Sequence, residues 1–173
     1  GGETLTADEL AGGLRASVTQ GKFIPIFALM ARQSLGLDEL LGGFARLMPS
    51  PLDRPGKDAD GKDVNPAADG PLVAQVWRAI NDPFVGQLTM ARVWGGTLKE
   101  KSEAYNAVKE QKETVGGVFF LNGKKQETVP EAQAGDIVAL AGLSKATVAD
   151  TICDLLASEA IQAQPIDPPT IAM

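Results

Sequence analysis

The chain of 173 residues contains no histidine and a single cysteine, Cys153. Without histidine there are no His-based nucleophile triads, no usual zinc ligand sets and no commonest general base. A lone cysteine cannot close an intramolecular disulfide, which fits a reducing compartment. Cys153 has no activating base nearby in sequence and reads as a small buried hydrophobe rather than a nucleophile. Asp58-x-Asp60-Gly61, followed by Asp63, invites comparison with a calcium loop. An EF-hand loop places three ligand positions before its glycine and a glutamate at position twelve; here the glycine comes too early. The aspartates therefore read as part of a mobile linker. No phosphate-cradling G-x-x-x-x-G-K-[ST] string and no guanine-reading N-K-x-D occurs, so the chain lacks the sequence equipment to hydrolyse GTP.

The remaining concentration of chemistry is cationic. Residues 99–125 carry Lys99, Lys101, Lys109, Lys112, Lys124 and Lys125, interleaved with Glu100, Glu103, Glu110 and Glu113. Two readings stand: a mixed solvated surface, or a face that neutralises RNA phosphates. The net charge of −6 argues against a chain-wide nucleic-acid footprint but leaves a local basic face open. Hydrophobic residues make up 44% and charged residues 22%, ordinary values for a globular chain; aromatics are only 5%, so the core must be aliphatic. No apolar run reaches the ~18–20 residues needed to cross a bilayer. The opening glycines and acidic residues are not a signal-peptide pattern. The expectation is a soluble cytoplasmic protein with no membrane or DNA partner.

Several elements must position these groups. Residues 4–21 read as a helix, with Thr6 and Glu9 at capping-box spacing and Leu10, Leu14 and Val18 as one apolar stripe. Residues 23–29, F-I-P-I-F-A-L, fit a strand buried on both faces. Leu37, Leu40, Leu41, Phe44, Leu47 and Met48 repeat at helical spacing. Such a helix-strand-helix piece cannot form a sheet alone, because a single strand leaves its ladder groups unpaired. Proline, glycine and aspartate then dominate residues 51–70. From Leu72 the pattern becomes all-β, with strands expected at 72–80, 88–94, 103–108, 115–121, 137–140 and 151–153. Turn signals separate them at Asn81-Asp82-Pro83, Gly95-Gly96, Asn122-Gly123-Lys124 and Ala134-Gly135-Asp136. Regular short strands suggest a closed barrel.

The stretch Asp82-Pro83-Phe84-Val85-Gly86-Gln87-Leu88, running into Arg92-Val93-Trp94-Gly95-Gly96-Thr97-Leu98, resembles the second domain of translation elongation factor G. Leu47-Met48-Pro49-Ser50-Pro51, Ala134-Gly135-Asp136-Ile137-Val138-Ala139 and Ala149-Asp150-Thr151-Ile152-Cys153 resemble further words of that family. Between these blocks the likeness weakens. Where the family usually has E-R-I-G-R-L and then Met-His, this chain reads Glu113-Thr114-Val115-Gly116-Gly117-Val118-Phe119-Phe120-Leu121-Asn122, which suggests a divergent paralog.

The resemblance implies a mainly β fold: a translation-factor-type closed antiparallel barrel preceded by an α/β fragment from the end of a GTPase domain. It implies residues 1–50 as the end of the GTP-binding domain, 51–70 as a linker, 71–164 as barrel domain II and 165–173 as an extended exit strand. The function it implies is that of a fragment of a translational GTPase acting on the ribosome, in translocation or a related step. GTP or GDP with magnesium would belong to the parent protein and no cofactor to this piece, which would be inactive alone. The partner implied is small-subunit ribosomal RNA, with Arg92, Lys99 and Lys101 as contacts; Arg92 equally suits an internal ion pair. The family's guanine-reading Gly-Ser-Ala loop falls on Leu29-Met30-Ala31. Only Ala31 matches; it stands for either a backbone contact to guanine or a plain exit from a strand. The rival expectation is a self-contained β-barrel module that binds protein or RNA without nucleotide chemistry.

Overall fold

The computed structural model of the chain describes residues 4–82, 86–123, 125–154 and 161. The expected exit strand at 165–173 lies outside the described residues, as do Pro83, Phe84, Val85 and Lys124. By its contacts the chain divides into two compact units, Gly1–Arg54 and Pro55–Met173.

The first unit holds α1 (Ala7–Thr19) and α2 (Leu37–Leu47). The capping box forms at the start of α1. The Glu9 amide donates to Thr6 Oγ1 at 3.3 Å, and Glu9 Oε2 accepts from the Thr6 amide at 2.9 Å. Gly36, at φ 76°, caps the start of α2, a backbone conformation that suits glycine. Asp53 accepts from the Ser50 amide and hydroxyl and from Arg15 of α1, which ties the P-S-P ending to that helix. Residues 23–29 correct an expectation: they form no strand, and Ile24 and Ile26 stand 80% and 92% exposed. The reason is the one that makes any single strand marginal. Among the described residues of this unit no neighbouring strand offers its ladder groups, so the segment forms no ladder. Phe27 of this segment packs toward α2, its ring lying so near Gly43 that a Cβ there would clash with it. Neither helix contains a fully buried residue.

The second unit is an antiparallel β-structure. Its strands are β1 (Val73–Asp82), β2 (Gly86–Gly95), β3 (Thr97–Lys99), β4 (Ser102–Asn106), β5 (Gln111–Val115), β6 (Gly117–Asn122), β7 (Lys125–Val129), β8 (Glu131–Gln133), β9 (Ile137–Ala141) and β10 (Thr151–Cys153). Eight lie in one sheet, in the order β5-β4-β10-β1-β2-β9-β6-β7, while β3 pairs with β8. The core is aliphatic, as composition required: Val76, Val93, Leu98, Val115, Val118, Leu140, Leu143 and Ile152 are all 0–1% exposed. β1 and β2 form a long hairpin with register shifts at Val73/Ala74 and Val76/Arg78. Such bulges bend a strand and deepen its twist.

Several local expectations change. Gly95-Gly96 is not a hairpin turn, because β3 leaves β2 and pairs with β8. It is a corner between sheets, and Gly96 at φ 68° leaves no room for a Cβ, which would sit 2.6 Å from the Leu72 amide. The strand expected at 115–121 is β6, which starts at Gly117; Val115 ends a separate strand, β5, that was not expected, and the two pair with different neighbours. The strand expected at 103–108 ends at Asn106. The turn at Ala134-Gly135-Asp136 forms as expected: Gly135 has φ 104° and Asp136 accepts from the Gln133 amide at 2.8 Å.

The division between units falls inside the segment expected as a mobile linker. Residues 56–68 carry bonds to the β unit: Ala67 and Ala68 carbonyls accept from the Gly96 amide and the Thr97 hydroxyl. Gly56 sits against the Trp94 ring, and Asp58 is 5% exposed. The three aspartates do not converge. Asp58 Oδ1 accepts from the Asp60 and Lys62 amides, and Asp63 pairs with Lys57 at 2.6 Å. Among the described residues no helix is long and apolar enough to cross a membrane.

Candidate functional site

The expected contact residues do not gather at one place. Ala31 opens a short turn of 3-10 helix, Ala31–Gln33, and is exposed. As the first residue of that turn, its N–H lies outside the turn's own bonds. Lys99, which ends β3, and Lys101, at φ 54°, flank Glu100 at an exposed corner, and Lys101 Nζ lies 3.4 Å from Glu100. Arg92 is half-buried on β2, with its guanidinium 4.6 Å from the centre of the Trp94 ring. That is cation–π distance. Arg92 Nε and Trp94 Nε1 are both buried without a hydrogen-bond partner among the described residues.

The lysine-rich segment also splits. Lys109 and Glu113, read from sequence as surface, turn inward. Asp150, 3% exposed, is the hub. Its Oδ2 accepts from Asn106 Nδ2 and from the Thr147 amide, each at 2.8 Å, and lies 3.1 Å from Lys109 Nζ. Its Oδ1 accepts from the Thr147 hydroxyl at 3.2 Å. Lys109 Nζ also donates to the Lys145 carbonyl. Asn106 Oδ1 accepts from the Val108 and Lys109 amides, which fixes the turn after β4. Glu113, 5% exposed on β5, completes the group, and its Oε1 has no hydrogen-bond partner among the described residues.

The two carboxyls respond oppositely to this setting. Burial pushes Asp150 up, but the bonds from Asn106, Thr147 and Lys109 outweigh it and hold the group below its usual value. Burial pushes Glu113 up, and attraction from Lys145 and Lys109 does not reverse it; Asp150 adds to the rise. Cys153 fits the reading as a buried hydrophobe: burial and then Asp154 push its thiol up to about 11, and Sγ donates to the Tyr105 carbonyl. At that value the nucleophilic thiolate is scarce at neutral pH.

The network nails residues 144–150 to the turn between β4 and β5. Those residues form one wall of an open cleft of about 550 Å³. The other wall is the end of the β1–β2 hairpin, where Asn81 and Gln87 are register partners. Gln87 Nε2 reaches across to the Ala146 carbonyl at 2.9 Å. Sequence reasoning passed over this site, although one signal was present. Glu113 stands two residues before the buried Val115 on a strand, so the period of two already assigned it to the inner face.

Comparison with known proteins adds to this geometry. The family model described as elongation factor Tu domain 2 matches residues 86–153. Elongation factor G of Ehrlichia chaffeensis is 36% identical over 160 residues, which cover 89% of this chain and 23% of that protein. The chain thus spans about a quarter of the length of that relative. A crystal structure of a protein from Thermus thermophilus superposes with a TM-score of 0.67 at 22% identity, over 95% of this chain and 22% of the other.

Proposed function

This chain belongs to the elongation factor G family, and on that premise we propose that it acts on the ribosome as part of a longer translational GTPase, in translocation or a related step. The observation that carries this reading is the match to elongation factor G, which runs through 160 residues and so involves both units. In this reading the first unit is the end of a GTP-binding domain. The exposed residues 23–29 support that role, since Ile24 and Ile26 await a sheet that the described residues do not supply. GTP or GDP with magnesium is held by the rest of the protein. Ala31 contributes at most a backbone N–H to the guanine.

The second unit is the ribosome-docking domain, and its sheet closes into a barrel. Support for closure comes from Gly116, the only residue between β5 at one end of the sheet order and β6 near the other. Lys99 and Lys101 touch small-subunit RNA phosphates from their exposed corner, and Arg92 acts there or braces Trp94 from inside. This reading implies a cytoplasmic protein.

Sedimentation of the native gene product, traced by blotting through sucrose gradients of source-cell lysate, tests it. The expected product is several times heavier than 18.1 kDa and travels with ribosomes or small subunits at low salt. A product of this same mass that stays at the top of the gradient overturns the reading in favour of a ribosome-independent binding module.

A further inference from the structure

We propose that Asn122 is a site of spontaneous covalent modification, where the side-chain amide closes on the Gly123 backbone nitrogen and an aspartate or isoaspartate replaces the asparagine. Asn122 ends β6, and Gly123 begins the short loop to β7, with Asn122 and Lys125 as register partners. In such a turn the carbonyl of the first residue accepts from the amide of the fourth, so the Gly123 N–H takes no part in closing it. Asn122 and Gly123 are both exposed. Among the described residues no hydrogen bond claims the Asn122 side chain or the Gly123 N–H. Glycine also removes the steric barrier. Gly123, at φ 60°, has open space where a Cβ would stand, and it brings no side chain to shield its nitrogen.

The other sequence sites of this kind are closed to the reaction. Of the remaining asparagines, Asn65 precedes Pro66, which has no N–H to lose. Asn81 and the Asp82 that follows it both lie in the β1–β2 ladder. Asn106 is fully buried with its Nδ2 bonded to Asp150, and the Ala107 N–H donates to the Thr151 carbonyl at 2.9 Å. Asp60 and Asp69 also precede glycine, but the Gly61 N–H donates to the Asp58 carbonyl and the Gly70 N–H to the Ala67 carbonyl.

The step balances with water alone. The Gly123 nitrogen gives its proton to hydroxide and attacks Asn122 Cγ; the Cγ–Nδ2 bond breaks, and ammonia leaves with a proton taken back from water. A second water opens the cyclic imide at one of its two carbonyls. Opening at Cγ gives aspartate. Opening at the backbone carbonyl gives isoaspartate, whose main chain runs through the side-chain carbons. Nothing is oxidised or reduced. Either product places a negative charge opposite Lys125. Aspartate keeps the register and gains an opposite-charge cross-strand pair. Isoaspartate lengthens the backbone and pulls that pair out of register. The next residue of β7, Gln126, donates to Asp82 Oδ2 at 3.3 Å, so the change reaches the end of the β1–β2 hairpin.

The test incubates the full chain for weeks in buffers from pH 6 to 9, separates it by anion exchange and maps tryptic peptides by mass spectrometry. Expected is a more acidic form that accumulates faster as pH rises, with the mass gain of an amide turned to a carboxyl and the isoaspartate both at Asn122. Asn122→Gln should abolish it, because the longer glutamine side chain closes a larger ring slowly. Gly123→Ala should slow it several-fold by shielding the nitrogen. The absence of an acidic form, a form that maps to another residue, an unchanged rate in Gly123→Ala, or modification of the urea-unfolded chain alone would each overturn the inference.

Discussion

Glu113 and Asp150 occupy one buried cluster, yet their titrations pull stability in opposite directions. Asp150 is held below its ordinary value of 3.8, so its contribution is present above that value and is lost as pH falls through the folded one. Glu113 is raised above 4.5. Its contribution is complete below that value and is lost as pH rises through the folded one. Stability should therefore peak in mildly acidic solution and decline toward neutrality. Glu113→Gln keeps the shape and removes the charge, so urea unfolding from pH 4 to 8 should lose that decline; a decline that survives the substitution would absolve Glu113. Asp150→Ala should cost about 3 kcal/mol at pH 7, since it strands Lys109 and the Asn106 and Thr147 donors in a buried place. Another prediction concerns Cys153, fully buried with its thiol pushed up to about 11. Ellman's reagent at pH 8 should label it only as the chain unfolds in urea, and immediate labelling of native protein would contradict the burial.

At the scale of elements, Gly142 decides how the turn after β9 meets the junction of β5 and β6. Its φ is 94°, and a Cβ would lie 2.7 Å from both the Gly116 amide nitrogen and the Thr114 carbonyl oxygen. Backbone cannot retreat as a flexible side chain can. Gly142→Ala should then cost about 2 kcal/mol, combining a strained backbone conformation with a clash, and lower the midpoint of thermal unfolding by several degrees. Gly123, also at positive φ but with open space around it, is the control, and Gly123→Ala should cost less. Much at this scale was legible. The capping box of α1, the period of α2, the long β1 and β2 and the Gly135-Asp136 turn all follow from local residue chemistry. The strands that escaped notice were β3 and β8, three residues each, β5, of which only Val115 fell in an expected strand, and β7, Lys-Gln-Glu-Thr-Val, which is exposed over most of its length and shows no apolar alternation. Their pairing is set by partners far away in sequence, which no local pattern records.

At the scale of the molecule, the two units differ in how much apolar surface they hide. The β unit buries a continuous aliphatic core, while Leu5, Leu10, Ile24, Ile26 and Leu41 of the helical unit are each more than 55% exposed. In the proposed reading this exposed apolar surface is what the rest of the GTP-binding domain covers. Ile24→Ser with Ile26→Ser should reduce binding of a hydrophobic dye and leave the unfolding of the β unit unchanged. Undiminished dye binding would place the sticky surface elsewhere.

The sequence by itself determined the class of the protein: an aliphatic β unit behind a helical one, with no histidine chemistry, no phosphate loop and the words of a translation factor. These follow from composition and from residue patterns whose physics is local. Only the tertiary structure decided the rest. It withheld a strand from residues 23–29, because a strand exists only beside another. It turned Gly95-Gly96 from a hairpin into a corner, because β3 found its partner in β8. It drew Asn106, Lys109, Glu113 and Asp150 together behind a cleft, because side chains 44 residues apart meet only when strands pair, and burial then raises Glu113 while the hydrogen bonds it receives lower Asp150.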